Sequence, residues 1–318
     1  MLEVKPEYSS FIGNFLFRGL KLPDMTLASI EIGRRCYEFK TQYIDKTKDK
    51  RKNKFLIILI LISIILGISL LAPYIAPNDP YKTDLQNSLK APSKEFFLGT
   101  DALGRCVFSR VVYGASRTIF SSLILVSLMF TFGSFIGIVS GYIGGLFDNI
   151  IMRIVDVFLA FPSLVLAIAI AGVLGGGMLN AMLAIGAIGW TKYARLARSE
   201  VLEIKEETFI KAARLSGNSS MYIIFKHIMP NVLSTLIVTA SLDIGTTIME
   251  MAALSFLGLS SPLPIPEWGA MMSEGKSMLQ FAPWITIAPG VAIFIVVILF
   301  NLLGDAVHDM LDPKQKEY

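Results

Sequence analysis

Histidine, cysteine and charge are all scarce in this chain. Its 318 residues include two histidines, two cysteines and three tryptophans, and only 17% are Asp, Glu, Lys or Arg. His227 and His308 stand apart from any Cys or carboxylate cluster, so no metal ligand set is expected. Cys36 and Cys106 fall on opposite sides of the membrane in the topology derived below, which excludes a disulfide framework. No nucleophile–base constellation is visible, so no catalytic residue is assigned and the chain is read as non-enzymatic. A net charge of +4 is too small to imply a nucleic-acid partner. One apparent phosphate loop, Gly269 followed by Gly275-Lys276-Ser277, has five intervening residues where that motif has four. The chain therefore has no ATPase machinery of its own. Near the N-terminus, residues 11–30 are interrupted by Arg18, Lys21, Pro23 and Asp24, which does not fit a cleavable signal.

What the chain has in abundance is apolar sequence: 53% hydrophobic residues and a mean hydropathy of +0.60. Runs at about residues 55–75, 119–142, 154–174, 179–195, 230–254 and 284–303 predict six transmembrane helices, most long enough for a ~30 Å hydrocarbon layer. Lipid offers the backbone no hydrogen-bond partners, so all must be helical. The fold class is an all-α polytopic membrane protein with lipid as its solvent. Residues 1–54 form a polar extension ending in a dense basic run, in which residues 11–22 fit either a surface amphipathic helix or a disordered tail. Residues 76–118 form an outer loop, 119–303 the core with an inner loop near 196–229, and 304–318 an inner tail.

Lys and Arg set the orientation. With the N-terminus inside, 22 of the 29 basic residues fall on the inner side and seven outside, as the positive-inside rule favours. The opposing charge is the basic first outer loop, where Arg105, Arg110 and Arg117 are expected against the membrane surface. Prolines 73, 77 and 80 end the first helix in extended chain, and prolines 262, 264 and 266 stiffen the third outer segment. Trp190, Trp268 and Trp284 fall near span ends, as interfacial anchors do. Gly133, Gly137 and Gly141 recur every four residues, a spacing that permits close helix packing.

Two polar features interrupt the apolar runs. Residues 206–230 form a compact hairpin between two spans. Thr208 to Leu215 predicts a short helix, Gly217 supplies a left-handed end, and Asn218, Ser219 and Ser220 can cap a second helix. It reads either as an ordinary turn or as a docking element. Within the fifth span, Asp243 and Glu250 lie two turns apart on one face. They line a translocation path or are held for packing, since an intramembrane carboxylate is costly; no basic partner is visible nearby in sequence. Arg153 and Asp156, three apart, predict an ion pair on one helical face.

The hairpin carries Ala212-Ala213, Gly217 and Pro230 at the spacing of the EAA loop, and so resembles the permeases of ABC importers. Lys211, His227 and Met229 stand where Glu, Ile and Leu are usual. Leu98-Gly99-Thr100-Asp101 through Gly104-Arg105, with Ser109-Arg110, resembles an element of the dipeptide/oligopeptide/nickel subfamily, with Cys106 at a usual Asp. Ala252-Ala253-Leu254-Ser255-Phe256-Leu257-Gly258-Leu259, Glu267-Trp268-Gly269, and Asn301-Leu302-Leu303-Gly304-Asp305 with Leu311-Asp312-Pro313 fit the same subfamily, and the closing segment resembles that of its C-type subunit. The resemblance covers about residues 50–313.

It implies the type I ABC importer permease fold in a bacterial or archaeal inner membrane. The implied partners are a second homologous permease, two cytoplasmic ABC ATPases and an extracytoplasmic substrate-binding protein. ATP and Mg would sit on the ATPases, with no cofactor on this chain. Thr208, Phe209, Ile210, Lys211, Ala212, Ala213, Arg214, Leu215, Ser216 and Gly217 would form the ATPase-coupling helix, with Ala212 and Ala213 allowing close approach. ATP-driven import of short peptides leads. A nickel or metal-chelate importer is the alternative, favoured by Cys106 as a soft ligand but lacking a companion ligand. An ion-coupled secondary transporter using Asp243 and Glu250 is a third reading, tested by uptake under ATP depletion.

Overall fold

The computed structural model describes residues 51–260 and 264–311. The expectations for residues 11–22, Cys36, the basic run up to Lys50, Pro262, Asp312 and Pro313 lie outside the described residues. The chain divides into two units, Met1–Asn53 and Lys54–Tyr318; the helical bundle is the second. Among the described residues, extended pairing is limited to one isolated bridge, Thr100 with Cys106.

Helix α1 spans Arg51–Leu70, and a short α2, Ala72–Ile75, starts with Pro73 in its first turn. Proline is tolerated there because a first-turn N–H has no intrahelical acceptor. The chain then runs irregularly through a 3-10 turn, Leu85–Asn87, to α3, Val107–Ile143. This helix starts well before residue 119, so twelve residues expected in the outer loop are helical. At about 1.5 Å per residue, α3 is about 55 Å long.

The expected third span is broken. Helices α4, Gly145–Leu159, and α5, Ser163–Val173, meet at 88°. Pro162 sits at the break: it cannot donate to a preceding turn, and it pushes Phe161 out of the helical region. Helix α6, Met178–Ile204, is followed by α7, Thr208–Leu215. Helix α8, Ser220–Phe256, contains a π turn at Ile224–Ile228. Helix α9, Trp268–Gly275, and α10, Trp284–Leu311, complete the bundle. Among the described residues, four helices (α1, α3, α8, α10) are long and apolar enough to cross a membrane, or five if α4 and α5 together form one span. The fourth expected span, residues 179–195, lies in α6, which is not among them; its second half carries Lys192, Arg195, Arg198, Glu200 and Glu203.

The glycine spacing has a direct counterpart. A Cβ on Gly133 would stand 2.3 Å from the Trp190 carbonyl oxygen, one on Gly137 2.3 Å from that of Ala194, and one on Gly141 3.1 Å from that of Arg198. A four-residue ladder on α3 thus meets a four-residue ladder on α6, running in the same direction, with backbone against backbone. The Lys205 ammonium donates to the Gly141 carbonyl (3.2 Å), so α6 ends at the same end of the bundle as α3. The α6–α7 turn and the start of α8 follow there. The 78–110 segment and α9 lie at the opposite end.

Candidate functional site

At the 78–110 end, a left-handed Gly99 (φ 70°) and Gly104 (φ 72°) shape the Gly-Thr-Asp element. A Cβ on Gly104 would sit 1.8 Å from the Asp84 carbonyl oxygen, so only glycine fits. The Asp101 carboxylate accepts the Leu103 and Arg105 backbone N–H groups, both at 2.9 Å. Its other oxygen takes Arg105 Nε (2.6 Å) and Arg110 Nη1 (2.7 Å). Glu274 of α9 closes the group, accepting from Arg105 Nη2 (2.6 Å) and Arg110 Nη2 (2.9 Å). Both arginines are buried. The expectation that they lie against the membrane surface is therefore corrected: two carboxylates draw them into the protein. Buried charges persist only when paired in this way.

Two tryptophans also depart from expectation. Trp268 is 2% exposed and donates to the Val111 carbonyl (2.8 Å); Trp284 donates to that of Thr100 (3.1 Å). Trp268 fastens α9 to α3 from inside the protein, and half-buried Trp284 ties the start of α10 to the Gly-Thr-Asp element. Glu267 caps α9, accepting from the Gly269 and Ala270 N–H groups at 3.0 Å. Burial pushes its carboxyl above the usual carboxylate range, and these hydrogen bonds only partly offset that. Cys106 is buried and unpaired, so the thiol offered to the metal reading is enclosed. Among the described residues, no group of three or more His, Cys, Asp or Glu could hold a metal.

At the other end, α7 has the bounds the local pattern indicates. Gly217 follows it at φ 78°, and its N–H donates back to the Arg214 carbonyl (3.0 Å). The Ser219 hydroxyl accepts the Tyr222 N–H (3.3 Å), capping α8. Ile210 and Ala213 face the chain's own core. This corrects the pairing of Ala212 with Ala213 as one approach surface: only Ala212 is exposed, because the two lie a third of a turn apart. Thr208, Phe209, Lys211, Arg214, Leu215 and Ser216 are exposed, Leu215 at 90%. Lys211 pairs with Glu206 (3.2 Å). Arg214 lies over the Tyr142 ring, 5.6 Å from its centroid. Phe209 and Tyr222 flank His227, and Met221 and Phe225 are exposed apolar side chains of the same end.

The carboxylates of α8 line a cavity of about 310 Å³ among α3, α5, α6 and α8. Lys192 of α6 reaches Asp243 at 2.6 Å, a partner that sequence order hid 51 residues away. Among the described residues, Glu250 has only the Ser163 hydroxyl, at 3.5 Å. Arg153 and Asp156 do not pair. Asp156 is bonded to Arg195 of α6 instead, and among the described residues Arg153 has no ion-pair partner. A pair on one exposed helix face gains only a few tenths of a kcal/mol, so an approaching arginine on the neighbouring helix displaces it. The missed inner cluster is Asp148, which takes the Arg198 guanidinium at 2.8 and 2.5 Å and the Ser140 hydroxyl at 2.6 Å.

The described residues form an all-helical bundle with a broken third span and a short exposed helix between two long ones. In fold it is similar to the chain in "Inward facing conformations of the MetNI methionine ABC transporter: CY5 SeMet soak crystal form" (TM-score 0.51, 21% identity, 64% of this chain and 96% of that one). Residues 133–317 match the binding-protein-dependent transport system inner membrane component, and residues 50–92 the N-terminal TM domain of oligopeptide transport permease C. The chain belongs to this permease family, as a C-type member of its dipeptide/oligopeptide/nickel branch, and is a multi-pass inner-membrane protein. It is 43% identical to the dipeptide transport system permease protein DppC of Alkalihalophilus pseudofirmus, over 85% of this chain and 89% of that one. It is 42% identical to the probable D,D-dipeptide transport system permease protein DdpC of Escherichia coli K12 (80% and 86%). With the glutathione transport system permease protein GsiD of Pectobacterium atrosepticum it shares 41% (82% and 86%). Membership sets aside the secondary-transporter reading.

Proposed function

We propose that this chain is a permease subunit of an ATP-driven importer of short peptides, working by alternating access with its N-terminus in the cytoplasm. It pairs with a second related permease, two cytoplasmic ATPases that hold ATP and Mg, and an external binding protein. The chain itself performs no chemistry and holds no cofactor. Dipeptide and glutathione permeases among its relatives support peptides over nickel.

The observation that carries this reading is α7. An eight-residue helix is too short to be stable alone, and the described residues of its own chain bury only Ile210 and Ala213. Leu215, Phe209 and the neighbouring Met221, Tyr222 and Phe225 stay exposed, a surface that suits a groove on an ATPase. Residues 208–217 are the coupling element in this scheme. Lys211 is occupied by Glu206, so apolar contact, not charge, makes most of the joint. ATPase closure moves α7, and the helices joined to it, α6 and α8, alternate the access of the cavity between them.

The test is crosslinking from exposed Ala212→Cys to a cysteine introduced into a co-expressed ATPase. Crosslinks expected in resting membranes and changed by ATP support the scheme. Absence of any crosslink, with the complex intact, removes α7 from the ATPase contact.

A further inference from the structure

The cavity around Asp243 and Glu250 is charge-unbalanced. Its lining has one cation, Lys192, against two carboxylates, and Lys192 is already bound to Asp243. Glu250 is left with a single hydroxyl at the limit of hydrogen-bonding distance. An intramembrane carboxylate without a cation is costly, and no packing need is evident in a residue that faces open volume. An independent sign of a missing ligand comes from Tyr193. This fully buried side chain lines the same cavity, and its hydroxyl has no hydrogen-bond partner. Asp243 acts on it without meeting hydrogen-bond geometry.

The site continues along α8. Asn231, Thr235, Thr239, Asp243, Thr246 and Glu250 recur at three- and four-residue intervals and so share one face. That face is about 29 Å long at 1.5 Å per residue. Its inner half borders a second cavity of about 380 Å³, where Glu200 is the one carboxylate and His308 lies opposite.

We propose that the upper cavity is a transit subsite for the α-ammonium group of a substrate. Glu250 receives the ammonium, the Tyr193 hydroxyl donates to the adjacent carbonyl oxygen, and Lys192 holds Asp243 until the ammonium displaces it. The group then passes from Glu250 to Asp243, one α8 heptad or about 10 Å inward, and on toward Glu200. The assignment of the ammonium to a peptide rests on the peptide reading above; the subsite's charge preference does not.

Two experiments separate them. In the first, Thr246→Cys, on the cavity wall between the carboxylates, is labelled in membranes holding the intact transporter, with labelling of the parent chain subtracted. The probes are trimethylammonium-ethyl and sulfonatoethyl methanethiosulfonates, with rates normalised to a free thiol. The cationic probe should react about tenfold faster, as a cleft of one sign concentrates counter-ions. Glu250→Gln should abolish the preference and Glu250→Asp retain it, while a neutral methanethiosulfonate labels all variants equally and so reports an intact fold. Equal rates for the two charged probes, or a preference that survives Glu250→Gln with Asp243→Asn, overturn the subsite. In the second, uptake of a free-amino dipeptide is measured in cells carrying the transporter. Glu250→Gln should lower the maximal rate about tenfold, the worth of one charged hydrogen bond, with little change in half-saturation, which the external protein sets. Peptide uptake at the parent rate in Glu250→Gln overturns the subsite and leaves the peptide reading standing. A charge preference in labelling with no peptide uptake by the parent supports the subsite and removes the peptide.

Discussion

The two ends of the bundle handle charge in opposite ways. At the 78–110 end, Asp101, Arg105, Arg110 and Glu274 are drawn together and five of their hydrogen bonds are 3.1 Å or shorter. The arginines are at most 3% exposed there. At the α7 end, Lys211 and Glu206 pair in the open, where an ion pair is worth about 0–1 kcal/mol, and large apolar side chains stay uncovered. The first end gathers its charges inside one chain, although Leu85 and Phe97 are exposed there and Arg105 Nη1 and Arg110 Nε have no partner among the described residues. The second end leaves its charges in the open. Polar sequence alone does not distinguish them, since both stretches look like ordinary loops.

The contrast can be broken most severely at Asp101. Asp101→Ala leaves two buried guanidiniums sharing one carboxylate, and the expected loss is about 3–5 kcal/mol, read as a lower unfolding midpoint in detergent or as loss of folded protein from membranes. An unchanged midpoint would mean the clamp does not stabilise its end. Next comes Gly137→Leu, which forces a side chain into the Ala194 carbonyl. Overpacking of this kind costs about 1–3 kcal/mol, measured the same way, with Gly172→Leu, in open space, as the near-neutral control.

A smaller effect belongs to Glu267. Its carboxyl is raised in the folded protein, so the neutral form is favoured on folding. Its contribution is fully present below the ordinary glutamate value and is lost as pH rises through the raised one. Glu267→Gln should therefore flatten the fall in unfolding midpoint over that range, compared with the parent across a pH series. The smallest effect on stability is expected at the other end. Leu215→Asp should change stability by no more than about 0.5 kcal/mol, yet abolish uptake while the ATPases continue to turn over. A destabilised Leu215→Asp protein would erase the distinction between the two ends.

Local chemistry made part of this legible from sequence. The bounds of α7, the left-handed Gly217 and the Ser219 cap depend on residues within one turn of each other, and the glycine spacing marks a close helix contact. Phe161-Pro162 was an equally local sign of the α4–α5 break, but the surrounding apolar run concealed it. Pairings at long range were not legible. Lys192 with Asp243, Arg195 with Asp156 and Arg110 with Glu274 join residues 51, 39 and 164 positions apart, and no periodicity encodes which helices become neighbours. Arg105 and Arg110 read as surface charge although Asp101 lies only four and nine residues away, because the second carboxylate that completes the group, Glu274, lies on α9, far along the chain.

The glycine ladder between α3 and α6 also sets a timetable. In the order of synthesis, Gly133 leaves the ribosome well before Trp190, and at roughly 5–20 residues per second the interval is about 3–11 s. Throughout it, the strip that will touch α6 has no mate and presents nearly bare backbone to lipid. Helical hydrogen bonds keep that strip tolerable, but any other small-residue helix in the bilayer competes for it. The broken α4–α5 segment emerges in this interval and is the first neighbour available. Its 88° bend turns the chain between α4 and α5 before α6 is made.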